Sequence, residues 1–313
     1  MPFSITRRAF VSSVAAAGAA GLAGAAPKRK YKYIDMHVHL GAFYWGKEVT
    51  PEGLVRWMDE HDVERAVILP LVSPEATIYV QPTEAALAAS KKFPDRLVAF
   101  CAIDPRSNYP RGYNPGVKGL VGVLKKWKDA GARGFGEHKV GLPFDHPLMM
   151  DLYAACDELE LPILFHLDDV RGIDTPGLPR LERALRSFPK LPFIGHAAGF
   201  WASISGDALF VDFSRYRGGP ITPGGALDKL MGKYPNLYGD LSEPGGYNAI
   251  HRDPAFGRDF LIRRADQLVF GTDYLMPGQE IPHFALYDSL DLPDDVQRRI
   301  FRANALKLLK LNG

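Results

Sequence analysis

The sequence predicts an α/β chain that closes into a (β/α)8 barrel. Short β-branched runs alternate with longer amphipathic stretches from residue 33 onward, eight of each, which is the pattern of parallel βαβ units. Eight units in about 290 residues suit a closed barrel better than an open doubly wound sheet. The side chains that carry chemistry also gather where the strand runs end, the place where such barrels keep their working residues.

The strand candidates in order are residues 33–40, 65–71, 97–104, 132–139, 162–168, 192–197, 237–242 and 268–273. The helical stretches between and after them are 51–60, 83–92, 117–130, 147–160, 178–188, 225–233, 254–264 and 294–311. Thr50-Pro51-Glu52 supplies an N-cap followed by proline at the first helical position. Phe93-Pro94, Phe188-Pro189 and Tyr234-Pro235 stop three helices just before the next strand, because the residue ahead of a proline is driven out of the helical region. No repeat beyond this alternation is visible, and no low-complexity segment follows Ala26.

Of 313 residues, 46% are hydrophobic and 24% charged, which excludes a disordered chain and a collagen-like repeat. A prior of about 150 residues per domain would suggest two, but barrels of about 250 residues form one. Residues 27–313 are therefore expected to be a single barrel domain. The net charge is +2, and the dense basic run Lys28-Arg29-Lys30 reads as a solvated linker. Neither makes a case for nucleic acid. Cys101 and Cys156 are too few for a disulfide framework and read as buried thiols.

Residues 1–26 read as an address. Thr6-Arg7-Arg8-Ala9-Phe10 precedes an Ala/Gly/Val stretch that is short for a span of about 20 apolar residues. The segment resembles a twin-arginine export signal, with Ala23-Gly24-Ala25 as a small-residue cleavage site. The resemblance implies export of the folded chain to the periplasm or cell exterior, with the export machinery as a partner. No stable membrane insertion of the mature chain is expected, and a homodimer is left open.

The first strand ends Ile34-Asp35-Met36-His37-Val38-His39. Alternation puts His37 and His39 on one face, and in a closed barrel that face can be the interior. The fifth strand ends at His166, the sixth at His196 and the eighth at Asp273. Imidazoles with one carboxylate are a normal ligand set for zinc and its relatives, with a position left open for water. A lone His-x-His is a weak signal. The case rests on four histidines and an aspartate falling at the ends of four strands.

Asp-Met-His-Val-His, Leu-Phe-His, Gly-His-Ala and Phe-Gly-Thr-Asp-Tyr, in that order, resemble the amidohydrolase superfamily. The amidohydrolase-2 group, which holds both hydrolases and metal-dependent decarboxylases, is the branch they resemble. The likeness runs over residues 31–313 and includes Ile300-Phe301-Arg302-Ala303-Asn304-Ala305. It implies His37, His39 and His166 as metal ligands, and Asp273 as both a ligand and the general base for water. It implies His196 as the group that stabilises or protonates the reacting centre. Zinc is the ion expected, with manganese the alternative, and one ion or two is left open.

The fourth strand departs from the family pattern, in which a lysine is common. Here it reads Gly136-Glu137-His138-Lys139. Glu137 and Lys139 share a face. Glu137 is a further candidate ligand or a group that orients substrate, and Lys139 a candidate for binding an anionic substrate or for modification. His138 points the other way; His61, His146, His251 and His283 lack strand-end company and read as structural or surface residues. In the loops after the strands, Arg171 is a candidate carboxylate clamp, and Trp201 and Tyr247 are candidate pocket walls.

The expected function is hydrolysis of an amide, lactone or ester-like bond in a small molecule by metal-activated water. Non-oxidative decarboxylation of an unsaturated or aromatic acid is the alternative, and a non-catalytic binding barrel is the third reading. The complete set of histidines with Asp273 argues against the third.

Overall fold

Eight parallel strands build the computed structural model, which describes residues 31–43, 46–76, 80–107 and 116–312. They are β1 (Tyr33–Val38), β2 (Val63–Ile68), β3 (Leu97–Ala99) and β4 (Phe135–His138), then β5 (Ile163–His166), β6 (Phe193–His196), β7 (Leu237–Asp240) and β8 (Leu268–Val269). Strands β1 to β3 pair in sequence order, and so do β4 to β8. Two seams close the ring. At one, Met36 N–H donates to the Phe270 carbonyl and His39 N–H to that of Tyr274, both at 2.9 Å. At the other, Cys101 N–H donates to Gly134 and Gly136 N–H to Cys101, also at 2.9 Å. The barrel read from the sequence is the observed fold. The segment read as an export signal lies outside the described residues.

Helix boundaries follow the local signals. Thr50 caps Pro51–Glu60 through a bond from Gly53 N–H. Phe93, Phe188 and Tyr234 are the C-caps of Thr83–Lys92, Pro179–Ser187 and Ala226–Lys233, each directly before its proline. The stretch expected as one helix over residues 294–311 is Asp294–Arg298, one wide π-helical turn at Arg299–Ala303, and Asn304–Leu309. Within the wide turn the Ile300 carbonyl accepts Phe270 N–H at 3.1 Å, tying the last helix to the end of β8. Asn304 Nδ2 donates to the carbonyls of Ala265 and Leu268.

Side chains alternate between two apolar layers. Val67, Val98, Leu164, Ile194, Tyr238 and Val269 point into the barrel, where Ala305, Leu308 and Leu309 of the last helix join them. Ala66, Leu97, Ile163, Phe193, Leu237 and Leu268 point outward against the helices. Burying a leucine such as Leu309 contributes on the order of 1.5–3 kcal/mol, so the last helix is an apolar plug rather than a trailing end. Cys101 and Cys156 are buried free thiols, and burial pushes the Cys101 thiol up to about 12.

In two strands the alternation breaks. Ile34 and Met36 of β1 face the interior, so strict alternation would turn His37 and His39 outward. The β1–β2 register shifts between Asp35 and Val38. Val38 returns to the outer layer, and both histidines face the axis. Just before β4 a Cβ on Gly134 would meet the Phe100 ring, and within it one on Gly136 would meet Leu164, so these glycines occupy the interior. The register with β5 then shifts between Phe135 and His138, and Glu137 faces the axis. Such an irregularity adds a residue and re-aims those beyond it.

Candidate metal centre

The re-aimed residues meet at the C-terminal end of the barrel. His37 Nε2 and His39 Nε2 lie 3.1 Å apart. Asp273 Oδ1 is 3.5 Å from the first and 3.3 Å from the second. Glu137 Oε2 is 3.8 Å and 3.5 Å from the same two atoms. Metal–ligand bonds of about 2.0–2.2 Å give tetrahedral edges of about 3.4 Å, so His37, His39 and Asp273 have the spacing of a site for one divalent ion, with Glu137 facing the same two imidazoles.

The remaining ring nitrogens are accounted for. His37 Nδ1 lies 2.7 Å from Asp240 Oδ2, and His39 Nδ1 lies 2.9 Å from the Leu69 carbonyl. Each partner accepts a proton from Nδ1 and leaves Nε2 with a lone pair, the arrangement that orients histidine ligands. Electrostatics agree. Burial opposes charge on His37, yet Asp273 and Asp240 hold its pKa well above the ordinary value. Burial likewise opposes charge on His39, and Asp273 and Glu137 raise it. Burial would raise Glu137, but Lys139 and His166 hold it well below the carboxylate range. Asp273 is lowered against the same opposition by His37 and His39. Carboxylates that favour protons on two facing imidazoles also favour a cation between them, so the donor set fits the ion that the chain implies.

Glu137 joins this group to a second one. Its Oε1 is 2.7 Å from His166 Nδ1, 3.3 Å from Lys139 Nζ and 3.8 Å from His196 Nε2. His166 Nε2 is 2.8 Å from Asp168 Oδ2, so both its ring nitrogens face carboxylates. Its nearest ligand group is Glu137 with His196 rather than the His37–His39 pair. Asp168 in turn binds Arg171 NH2 at 2.5 Å and accepts the Val170 and Arg171 backbone N–H groups.

A cleft of about 280 Å³ opens over these atoms, lined by His39, His166, His196 and Asp273, with Lys139 and Arg171 among its other walls. Phe43, Phe213, Tyr216, Glu243 and Leu275 complete much of the rim. Trp201 and Tyr247, expected as walls, are not part of it. Trp201 is 2% exposed and donates its indole N–H to the Asp240 carbonyl at 2.9 Å. It rides on helix Ala198–Ala202, which turns the ring onto the outside of β7. The run after Ser242, expected as a loop, is helix Glu243–His251. On it Tyr247 stacks against His251 with ring centroids 4.8 Å apart, away from the cleft.

Of the other histidines, His251 lies at the surface and three have structural contacts, as expected. His138 packs on Met149 Sδ at 2.9 Å, His61 stacks on Trp57, and His146 caps Pro147–Glu158.

Asp240 and Ser242 take part without having been singled out by the strand-end histidine pattern. Asp240 Oδ2 also lies 3.3 Å from His196 Nδ1, and Ser242 Oγ bridges Asp240 Oδ2 at 2.7 Å and His196 Nδ1 at 2.9 Å. A signal for Asp240 exists in the chain: Gly239-Asp240 ends β7 as Gly195-His196 ends β6. Asp35, two residues ahead of His37, also has a role that its motif does not reveal. It accepts from Thr272 Oγ1 at 2.6 Å and from His37 N–H at 3.0 Å, stapling β1 to the end of β8. Burial pushes its pKa up to about 7, with Thr272 opposing.

Comparison with known proteins agrees with this architecture. A search of curated protein sequences finds no match. Among solved structures, a zinc-bound amidohydrolase from Burkholderia multivorans superposes with a TM-score of 0.61 at 13% identity, covering 90% of this chain and 100% of that one. A protein named as a probable 2-pyrone-4,6-dicarboxylic acid hydrolase, from Acinetobacter baumannii, gives 0.55 at 14%, covering 90% and 100%. A 5-carboxyvanillate decarboxylase from Novosphingobium aromaticivorans, complexed with manganese, gives 0.55 at 14%, covering 90% and 97%. These likenesses show the fold. The amidohydrolase family model matches residues 34–311, and the chain belongs to that family.

Proposed function

We propose that this protein is a zinc-dependent hydrolase that cleaves an ester-like, lactone or amide bond of a small anionic molecule. The observation that carries the reading is the position of Asp273. Its Oδ1 stands against both His37 and His39, yet its side chain is 15% exposed to the cleft, whereas those of His37 and Glu137 are fully buried. Of the two carboxylates that face these imidazoles, it is the one that water and substrate reach.

An ion held there would polarise a substrate oxygen and bring the pKa of water to about 7. Asp273, kept ionised by the two imidazoles, takes the proton of the attacking water and returns it to the leaving group. His196 lines the cleft with its Nδ1–H donated to Ser242, whose hydroxyl goes to Asp240, so its Nε2 faces the reacting centre and in the imidazolium form donates to the oxygen that gains charge. Lys139 and Arg171 suit an anionic substituent of the substrate.

Decarboxylation is the second reading, and one observation favours it. Arg171 lines the cleft and its Nε has no hydrogen-bond partner among the described residues, so its guanidinium keeps a donor for the substrate carboxylate that would leave as carbon dioxide. The test is turnover in ¹⁸O-labelled water. Hydrolysis labels the new carboxylate; carbon dioxide release without label in the organic product overturns hydrolysis and leaves the metal centre standing. Metal analysis of the purified chain separates both from a non-catalytic barrel. Export is proposed on residues 1–26: replacing Arg7 and Arg8 together by lysine should retain the precursor, and normal export of that variant overturns it.

A further inference from the structure

Asp273 has an unusual backbone. Its φ is +55°, in the left-handed region that non-glycine residues rarely adopt and that persists only where neighbours over-determine it. On the barrel side its N–H donates to the His37 carbonyl at 2.9 Å. The flanking residues are held there too. Thr272 Oγ1 bonds Asp35 and accepts the Tyr274 N–H at 3.2 Å, and the Tyr274 carbonyl accepts His39 N–H at 2.9 Å.

On the loop side Asp273 itself is held by one side chain, in a turn that a bond from Gln279 N–H to the Met276 carbonyl (3.2 Å) also braces. Gln279 Nε2 donates to the Asp273 carbonyl at 2.9 Å, and its Oε1 accepts the Leu275 N–H at 2.8 Å. Both ends of the amide are used, and together they close the loop from 273 to 279 into a ring. Gly278, with φ +84°, makes the bend that brings the glutamine back. Leu275 lines the cleft while Gln279 stands outside it, so Gln279 reaches the site only through the two backbone groups it grips.

We propose that Gln279 is a positioning residue that holds the carboxylate of Asp273 against His37 and His39. The proposal rests on the metal-centre reading above. Without the clamp the 273–279 loop loses its tie to the Asp273 carbonyl, and the left-handed conformation is no longer fixed from both sides. The carboxylate then spends part of its time away from the imidazoles.

The test is a double-mutant cycle read by metal affinity, with Zn²⁺ alone and Mn²⁺ alone competed against a chromophoric chelator. Gln279→Ala should weaken binding by about 10–100-fold, the range for losing a group that orients a ligand. Gln279→Glu keeps the acceptor for Leu275 N–H but cannot donate to Asp273, and should weaken binding similarly. In an Asp273→Ala background, Gln279→Ala should add no further loss, because the group it acts through is gone. Thermal unfolding of the metal-free single variants should stay close to that of the original chain. Unchanged affinity in both Gln279 variants, or a full additional loss in the Asp273→Ala background, overturns the proposal. Absence of metal binding by the unsubstituted chain overturns the metal-centre reading and this inference together.

Discussion

The carboxylate of Asp240 lies 2.7 Å from Nδ1 of His37, joining the end of β7 to the end of β1 beneath the candidate metal centre. The same oxygen receives Ser242 Oγ and approaches His196. Asp240 is wholly buried, and burial that would raise its pKa is overcome by His196 and His37, so it stays ionised. Asp240→Asn keeps the shape but presents an amide where an anion accepted the Nδ1 proton, so His37 loses its fixed tautomer. Metal affinity should fall by about 10–100-fold, measured by chelator competition. Unchanged affinity would mean His37 is oriented by packing alone.

Asp273→Asn tests the proton transfer. The amide still approaches the imidazoles but is no base. Turnover should fall by about 10²–10⁴-fold, while metal content by elemental analysis stays mostly intact. A fall in turnover no larger than the fall in occupancy at saturating metal would leave Asp273 a ligand with no part in proton movement.

Gly271 is the residue that lets β8 pass the site. A Cβ there would stand 2.3 Å from Asp240 Oδ1 and 2.9 Å from Ser242 Cβ. Both belong to fully buried side chains held by hydrogen bonds. Gly271→Ala should therefore displace Asp240, weaken metal binding and lower the unfolding midpoint in urea. A variant with original stability and affinity would show that β8 can shift as a unit.

His283 gives a pH prediction for the metal-free chain. It is buried, its Nε2 bonds the Glu243 carbonyl at 3.2 Å, and its Nδ1 has no partner among the described residues. Burial pushes its pKa down from 6.5 to about 4. Above pH 6.5 the ring is neutral both folded and unfolded, so it adds no pH dependence. Between about 6.5 and 4 the unfolded chain binds a proton that the folded ring refuses, so stability falls as pH falls. The slope from this group is up to about 1.4 kcal/mol per pH unit. Urea unfolding from pH 7.5 to 5, with chelator present, should show a shallower loss in His283→Leu than in the original chain.

Residue order alone determined the barrel. Strand and helix periods are local, and so are the stops at Phe93, Phe188 and Tyr234, where a proline acts on its immediate neighbour. The strand-end rule is nearly as local, and residue order is enough for it to pick out His37, His39, His166, His196 and Asp273. Tertiary structure decided which face each strand turns to the axis. Counting from Ile34 and Met36, or from Gly134 and Gly136, alternation sends His37 and Glu137 outward, and only the register breaks against β2 and β5 bring them in. It also decided what stands behind the ligands. Asp240 and Ser242 reach His37 and His196 across strands that no short spacing connects, whereas Gln279 grips groups only four and six residues back, in a turn that the fold sets. Trp201 and Tyr247 leave the cleft because the segments after β6 and β7 coil into helices that turn those rings onto the outer layer. Periodicity is written in neighbouring residues, whereas register and side-chain direction depend on the partner strand, which the chain meets only once folded.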